Sequence, residues 1–171
     1  MFSYAGDGLA HLLAGFVLVA IFSGLFQKGR RLEPLFWFGF ILSSSALFFL
    51  PNKIVFLGRL GNWFYQFCHY PVSDWDILLL GFSWHRFFFT HSCFLALIVF
   101  GAVHRNPNLA GFSQGFTIGL SSHLIWDGVS CSSLTPVVFF PSLFAISGVW
   151  AKTWLIGNGI IAFRMAGNFR K

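Results

Sequence analysis

Histidine and aspartate residues concentrate in two short stretches of an otherwise apolar sequence. The first covers residues 73–92 and reads SDWDILLLGFSWHRFFFTHS, and the second is HLIWD at residues 123–127. Together they hold three of the five acidic residues of the chain and three histidines: Asp74, Asp76, His85, His91, His123 and Asp127. Carboxylates and imidazoles are costly to desolvate, so they persist in apolar surroundings mainly where they have a partner, an ion or water. The crowding therefore indicates a functional site.

The sequence spacing between neighbouring histidines and aspartates limits the contacts that each pair can make. His123 and Asp127 are four residues apart, so on a helix they project from one face about one turn apart. Such a pair can bind one metal ion, or it can form a hydrogen bond that helps two helices to pack together. Asp74 and Asp76 are two apart, which in an extended or turn segment directs both carboxylates to one side, although a turn or a helix cap uses the same spacing.

His85 and His91 are six residues apart, too far around a helix to share a face. We therefore expect His85 in a loop and His91 in the first turns of a helix. Alone, a histidine in an apolar helix is more often a hydrogen-bonded core residue, but imidazole with carboxylate is the ligand set of zinc and similar divalent ions. The sequence predicts a divalent metal site, with zinc favoured, in which some candidates bind directly and others orient them: His11, Asp76, His85, His91, His123 and Asp127.

A metal ion with an open coordination position indicates hydrolysis, because it lowers the pKa of bound water and supplies hydroxide. A nearby carboxylate can then act as a general acid or base, and we assign that catalytic role to Asp74. Arg86 is the expected cation for an anionic substrate such as a phosphoester, with an interfacial anchor at a helix start as its alternative role. The sequence contains no glycine-rich phosphate loop, no G-x-S-x-G element and no HExxH motif.

The composition indicates a polytopic membrane protein that forms one domain over residues 1–171. Hydrophobic residues make up 56% of the chain and charged residues only 9%, against roughly 25% charged residues in soluble domains. The net charge of +6 does not predict a nucleic-acid partner, because the basic residues fall in short clusters beside apolar runs. Membrane lipid is the partner that this composition favours.

The apolar runs predict an all-α membrane bundle of about five spans, since each span needs about 20 mostly apolar residues. An aromatic-rich segment, residues 52–84, lies between the second and third spans and suits the headgroup zone, where it would cover the site. The N-terminus lacks a basic region, so no cleaved signal peptide is expected. The predicted spans are residues 9–26, 34–50, 86–103, 109–126 and 143–163.

The distribution of basic residues predicts the orientation of these spans. Seven would lie on the cytoplasmic side: Lys28, Arg30, Arg31, Arg105, Arg164, Arg170 and Lys171. Only Lys53, Arg59 and Arg86 would lie outside, so the positive-inside rule places the N-terminus outside and the C-terminus in the cytoplasm. All the candidate ligands, including His11 at the start of the first span, then lie at the outer membrane face.

These motifs resemble those of the YdjM-like family of bacterial inner-membrane proteins, which are described as membrane-bound metal-dependent hydrolases. That family shows Pro-Asp-x-Asp, then His-Arg-Gly-x-Thr-His-Ser, then Gly-x-x-x-His-x-x-x-Asp, and an early histidine. The matching residues here are His11, Asp74, Asp76, His85, Arg86, Thr90, His91, Ser92, Gly119, His123 and Asp127. Ser73 replaces the family proline, the glycine after His-Arg is absent, and one extra residue separates the two histidines of the second motif.

The resemblance implies an enzyme of the bacterial inner membrane. The order of histidines and aspartates is also similar to that of zinc-dependent phospholipase C enzymes, which implies a phosphoester or lipid-linked substrate. Two alternatives remain: a non-catalytic membrane protein with a structural metal site or polar helix contacts, and a metal-ion permease. A hydrolase needs its ligands gathered at one depth, whereas a permease needs polar residues at several depths.

Overall fold

Helices make up most of the chain. The computed structural model describes residues 4–27, 31–44, 65–103, 106–130, 136–140 and 143–168. The helices are α1 (Tyr4–Phe22, continued by a π-helical turn, Ser23–Gln27), α2 (Pro34–Ser43), α3 (Trp75–Leu80), α4 (Phe94–Val103), α5 (Ala110–Ser130) and α6 (Gly148–Asn168). Short 3-10 turns occur at Val72–Asp74, Phe82–Trp84 and Pro107–Leu109, and two strands, β1 (Val137–Phe140) and β2 (Phe144–Ile146), form an antiparallel hairpin.

Local sequence explains where several of these helices begin. Pro34 occupies the first turn of α2 after an extended Glu33, a position where the missing N–H of proline costs no hydrogen bond. Before α5, the side chain of Asn106 accepts a hydrogen bond from the N–H of Asn108 at 3.0 Å. Gly148 has φ +59° and turns the chain from β2 into α6, a conformation that glycine adopts without steric cost.

Helix α5 lies at the centre of the fold, between α2 and α6, and is buried along most of its length. Hydrogen bonds between hydroxyl groups and backbone carbonyls join it to both of these helices. The Ser121 hydroxyl donates to the Gly159 carbonyl of α6 at 2.7 Å, and the Ser43 hydroxyl of α2 donates to the Phe116 carbonyl of α5 at 2.7 Å. These hydrogen bonds allow a helix with many hydroxyl groups to be buried without unsatisfied polar atoms at these points.

Glycines allow α2 and α5 to approach each other closely. A Cβ atom added at Gly115 or Gly119 would overlap the α2 backbone or Ser43, and one added at Gly39 would overlap the Phe112 carbonyl. Small residues of this kind let helix backbones come into contact, as in many membrane bundles. The rigid pairing fixes the position of α5, which carries two of the candidate ligands.

Two apolar clusters fill the space between the helices. One lies between α4, α5, α6 and β1, and its buried members are Ala96, Phe116, Leu120, Leu124, Val137, Ala151 and Leu155. The other joins α1 and its neighbours, with buried members Val19, Phe22, Phe36, Phe40, Ile118 and Ala166. Together they hold α1, α2 and α6 around the central helix.

Among the described residues, one helical segment, Leu9–Gln27, is long and apolar enough to cross a membrane. It corresponds to the first predicted span, and large apolar side chains cover its outer surface: Leu9, Leu13, Phe16, Val17, Ile21 and Leu25. Helices α2 and α4 are apolar but shorter. Residues 45–50 of the second predicted span, and residues 52–64 of the predicted interfacial segment, lie outside the described residues.

The third predicted span starts later than its sequence indicated. Residues 85–93 form turns, and α4 begins at Phe94, so His91 does not lie on a helix. The backbone here pairs with β1 instead: the Phe88 N–H donates to the Val138 carbonyl at 2.8 Å, and the Val138 N–H donates to the Arg86 carbonyl at 3.0 Å. A backbone N–H that donates to a carbonyl of β1 is not available for the hydrogen bonds of an α-helix.

The region before the last helix also differs from the prediction. Residues 143–146, expected at the start of the fifth span, belong to the hairpin, with Val137 opposite Ile146 and Phe140 opposite Phe144. Helix α6 therefore begins at Gly148, and Lys152 lies in its first turns. The fold is mostly helical with a small two-stranded sheet, not purely α-helical.

The close contact of α2 with α5 gives a prediction for stability. Gly115→Ala places a methyl group against the Phe36 backbone, and we expect it to destabilise the protein by about 2 kcal/mol and lower its Tm in detergent by about 6 °C. Gly157→Ala on α6 is the control, because its Cβ would meet no described atom within 4 Å. Equal Tm values for the two variants would contradict the close packing.

Candidate metal centre

All eight side chains singled out in the sequence lie together in the structure. They come from separate parts of the chain: His11 from α1, Asp74 and Asp76 from the turn and short helix at 72–80, His85, Arg86 and His91 from the turns that follow, and His123 with Asp127 from α5. Six of them are buried: His11, Asp76, Arg86, His91, His123 and Asp127. The side chains of Asp74 and His85 are 15% and 24% exposed and form the more accessible part of the cluster.

Asp74 lies between two histidines from distant parts of the chain. Its Oδ1 atom is 3.1 Å from Nε2 of His123, a hydrogen bond, and 3.2 Å from Nε2 of His91. One carboxylate oxygen therefore joins α5 to the turns before α4. Asp74 is the last residue of the 3-10 turn and directly precedes α3, which begins at Trp75.

Asp76 holds the loop that carries the other histidines. Its Oδ2 atom accepts hydrogen bonds from the Thr90 hydroxyl at 2.8 Å and from the Phe87 N–H at 3.0 Å, and it lies 3.3 Å from Nδ1 of His91. Its Oδ1 atom is 3.8 Å from Nδ1 of His85. A carboxylate with several such donors fixes both the loop backbone and the orientation of an imidazole ring.

Asp127 connects α1 and the arginine to the same cluster. Its Oδ1 atom is 3.4 Å from Nε2 of His11, and its Oδ2 atom is 3.2 Å from Nε of Arg86. The same Oδ2 atom is 3.8 Å from Nε2 of His123, the residue one helical turn earlier. The rings of His11 and His123 stack with centroids 4.7 Å apart.

The electrostatic surroundings keep the two aspartates of the 72–80 segment ionised. Burial by itself would raise the pKa of Asp74, but the charges and hydrogen bonds of His123 and His91 outweigh it and hold that pKa well below its ordinary value. Burial likewise acts to raise the pKa of Asp76, and the hydrogen bonds of His85, His91 and Thr90 lower it overall. Ionised carboxylates are the form that binds a cation.

The donor atoms form three groups, each compact enough to hold a metal ion. Within each group the atoms lie within 4.8 Å of one another. The groups are His11 with His123 and Asp127, Asp74 with His91 and His123, and Asp76 with His85 and His91. Nδ1 of His123 is buried with no hydrogen-bond partner among the described residues, as expected of a nitrogen that serves as a ligand. The residues therefore fit a divalent cation.

Arg86 is not an exposed anchor at a helix start. It is 8% exposed, its partner is Asp127, and its backbone has φ +64°, a region that residues other than glycine rarely adopt. Such backbone strain is found mainly at functional sites, where the surrounding structure holds it. Here the Arg86 carbonyl accepts the Val138 N–H, which anchors the strained residue to β1.

Sequence reasoning missed the residues that support this loop. The Trp154 indole of α6 donates to the His91 carbonyl at 3.1 Å, and Val138 of β1 pairs with the backbone on both sides of Phe87. These residues are apolar or aromatic and lie far from the histidines in sequence. Only Thr90 carried a signal, because it stands beside His91 in the Thr-His-Ser motif.

Comparison of the chain with protein-family models, with curated proteins and with solved structures finds no match.

The hydrogen bond from Thr90 to Asp76 gives a prediction that needs no ligand. Thr90→Val keeps the shape of the side chain and removes the hydroxyl that Asp76 accepts. Since hydrogen bonds to charged groups contribute about 1.5–3 kcal/mol, we expect a loss of about 1.5 kcal/mol in the free energy of unfolding, measured by denaturation in detergent. Thr153→Val, at an exposed position of α6, should leave that free energy within about 0.5 kcal/mol of the original.

Proposed function

We propose that this protein is a membrane-bound, metal-dependent hydrolase that acts on a phosphoester or lipid-linked substrate. The observation that carries the proposal is the convergence of seven imidazole and carboxylate side chains from distant parts of the chain into overlapping groups of metal-binding geometry. Polar residues that only packed helices together would form separate pairs. The clustering at one place also favours a hydrolase over a permease, which needs polar residues spaced along a path.

Zinc is the metal that the donor set favours. Every donor is an imidazole nitrogen or a carboxylate oxygen, and zinc in catalytic sites is held by such ligands with one position left open. Histidines that bind a metal ion are neutral, and in that state three carboxylates against one guanidinium leave the cluster negatively charged, which favours binding of a divalent cation. A bound ion of this kind supplies hydroxide for hydrolysis at neutral pH.

The protein side chains have separate tasks in this proposal. Asp76 fixes the orientation of His91 and of the loop, and Arg86 fixes Asp127. Asp74 is one of the two more accessible members of the cluster, and in this proposal its carboxylate accepts a proton during the reaction. The guanidinium of Arg86 brings positive charge to the site, which suits an anionic substrate.

The outward face of α1 supports a membrane location for the site. It is covered by exposed leucine, valine, isoleucine and phenylalanine side chains, and a surface of that kind is stable in lipid rather than in water. His11, near the start of this span, brings the metal cluster close to one end of the helix, so the site would lie at the membrane boundary. We further propose a multi-pass inner-membrane topology with the site at the outer face, on the basis of the positive-inside distribution.

Relationship to the YdjM-like family is part of the proposal. The support is the match of three motifs and an early histidine to residues that the fold brings together. The extra residue between His85 and His91 does not separate them: both lie in the group that contains Asp76, with ring centroids 5.6 Å apart.

Metal content and activity test the proposal together. We expect the purified protein in detergent to contain zinc and to hydrolyse bis(4-nitrophenyl) phosphate, with both properties lost by treatment with a chelator and restored by zinc. His123→Ala and Asp127→Ala should lower the rate by about 100-fold or more, since each removes a ligand. The control is His69→Ala, because His69 bonds to Tyr65 outside the cluster and its loss should change neither metal content nor rate.

A metal content in both ligand variants equal to that of the unaltered protein would refute the assignment. Bound metal without hydrolysis of the phosphodiester or of phospholipid in micelles would favour the structural metal site instead.

A fractionation experiment tests the membrane location. The exposed apolar surface of Leu9–Gln27 predicts that the chain stays in the membrane pellet after extraction with alkaline carbonate and enters the supernatant only with detergent. A chain released by carbonate alone would contradict membrane insertion.

A further inference from the structure

The three donor groups cannot all be filled at once. His123 belongs both to the group with His11 and to the group with Asp74, and His91 belongs both to the group with Asp74 and to the group with Asp76. A neutral imidazole has one nitrogen lone pair, so each histidine can serve one ion at a time. An ion in the group that contains Asp74 therefore takes a histidine from each of the other two.

The two outer groups share no residue. One contains His11, His123 and Asp127, and the other contains Asp76, His85 and His91. Each consists of two imidazoles and one carboxylate, a ligand set that holds a divalent ion and leaves positions open for water or substrate. Filling both uses all six of these donors, whereas filling the middle group uses only two of them.

Asp74 lies where it can orient a histidine of each outer group. Its Oδ1 atom faces Nε2 of His123 at 3.1 Å and Nε2 of His91 at 3.2 Å. The His123 contact is a hydrogen bond, so an Nε2–H donated to Asp74 leaves the lone pair of His123 on Nδ1, whereas Nε2 of His91 makes no hydrogen bond among the described atoms. Nδ1 of His91 lies 3.3 Å from Asp76 in one outer group, and Nδ1 of His123 is buried without a hydrogen-bond partner among the described atoms.

This arrangement matches a known way of fixing metal ligands. A ligating histidine usually donates its second ring N–H to a carboxylate, which sets the tautomer and the ring orientation. Here Asp74 accepts the hydrogen bond of His123 and its Oδ1 atom lies 3.2 Å from Nε2 of His91, so it contacts one histidine of each outer group. The charge also changes: two divalent ions would make the negatively charged cluster positive and so complementary to an anionic substrate.

We propose that the centre holds two divalent ions, one bound by His11, His123 and Asp127 and the other by Asp76, His85 and His91, with Asp74 between them as the positioning carboxylate of His123 and His91. This inference rests on the metal site of the proposed function and specifies its number of ions. In this arrangement Asp74 is not a metal ligand.

Titration of the unmodified protein is the first test. Cobalt(II) added to the metal-free protein in detergent should give a visible absorption change that ends at two equivalents per chain, and zinc-loaded protein should contain two zinc ions after dialysis. An end point at one equivalent, or no binding, would overturn the proposal. This measurement does not depend on whether any variant folds.

Three variants then locate the ions. His11→Ala and His85→Ala should each retain one zinc, since each removes a ligand of one outer group only, and Asp74→Asn should retain two. His69→Ala serves as the control with two. The opposite pattern would place a single ion in the group of Asp74, His91 and His123. In that case the protein would hold one zinc, lose it in Asp74→Asn and keep it in His11→Ala and His85→Ala.

The outcomes also separate this proposal from the proposed function. Two ions without hydrolysis of bis(4-nitrophenyl) phosphate would remove the hydrolase and leave the two-ion centre. Hydrolysis by a protein that holds a single ion would support the hydrolase and overturn the two-ion centre.

Discussion

The structure depends on the cost of burying carboxylates. Asp76 and Asp127 are almost fully buried, and an ionised carboxylate is stable in such a place only with opposite charge and hydrogen-bond donors around it. Each aspartate of the cluster therefore draws partners from other segments: Asp74 from α5 and the following turns, Asp76 from the loop backbone and Thr90, Asp127 from α1 and Arg86. The same requirement that holds the segments together assembles the residues that could hold a metal ion.

The surrounding fold is arranged so that these partners stay in place. Close packing at the α2–α5 glycines fixes the helix that carries His123 and Asp127. The hairpin and the Trp154 indole fix the loop that carries His85, Arg86 and His91 through backbone hydrogen bonds. The candidate ligands therefore lie on a closely packed helix on one side and on a hydrogen-bonded loop on the other, and such preorganisation is the general requirement for an effective site.

The position of the cluster relates the chemistry to the environment of the protein. His11 lies on the one described helix that is long and apolar enough to span a membrane, and its ring stacks on that of His123. The more accessible members, Asp74 and His85, come from the segment outside that helix. The cluster is therefore accessible from the side of the 72–85 segment, while its other members are buried.

The sequence by itself determined the residue types of the site, the helix shared by His123 and Asp127, and the apolar first helix, because each follows from local spacing or composition. Only the tertiary structure decided that residues 85–93 form turns, that a hairpin precedes the last helix, and that Arg86 is buried against Asp127. The apolar run at residues 86–103 is compatible with a helix throughout. What prevents a helix at its start is the bonding of Phe87 to Asp76 and of Phe88 to Val138, contacts between residues far apart in sequence that local periodicity does not contain.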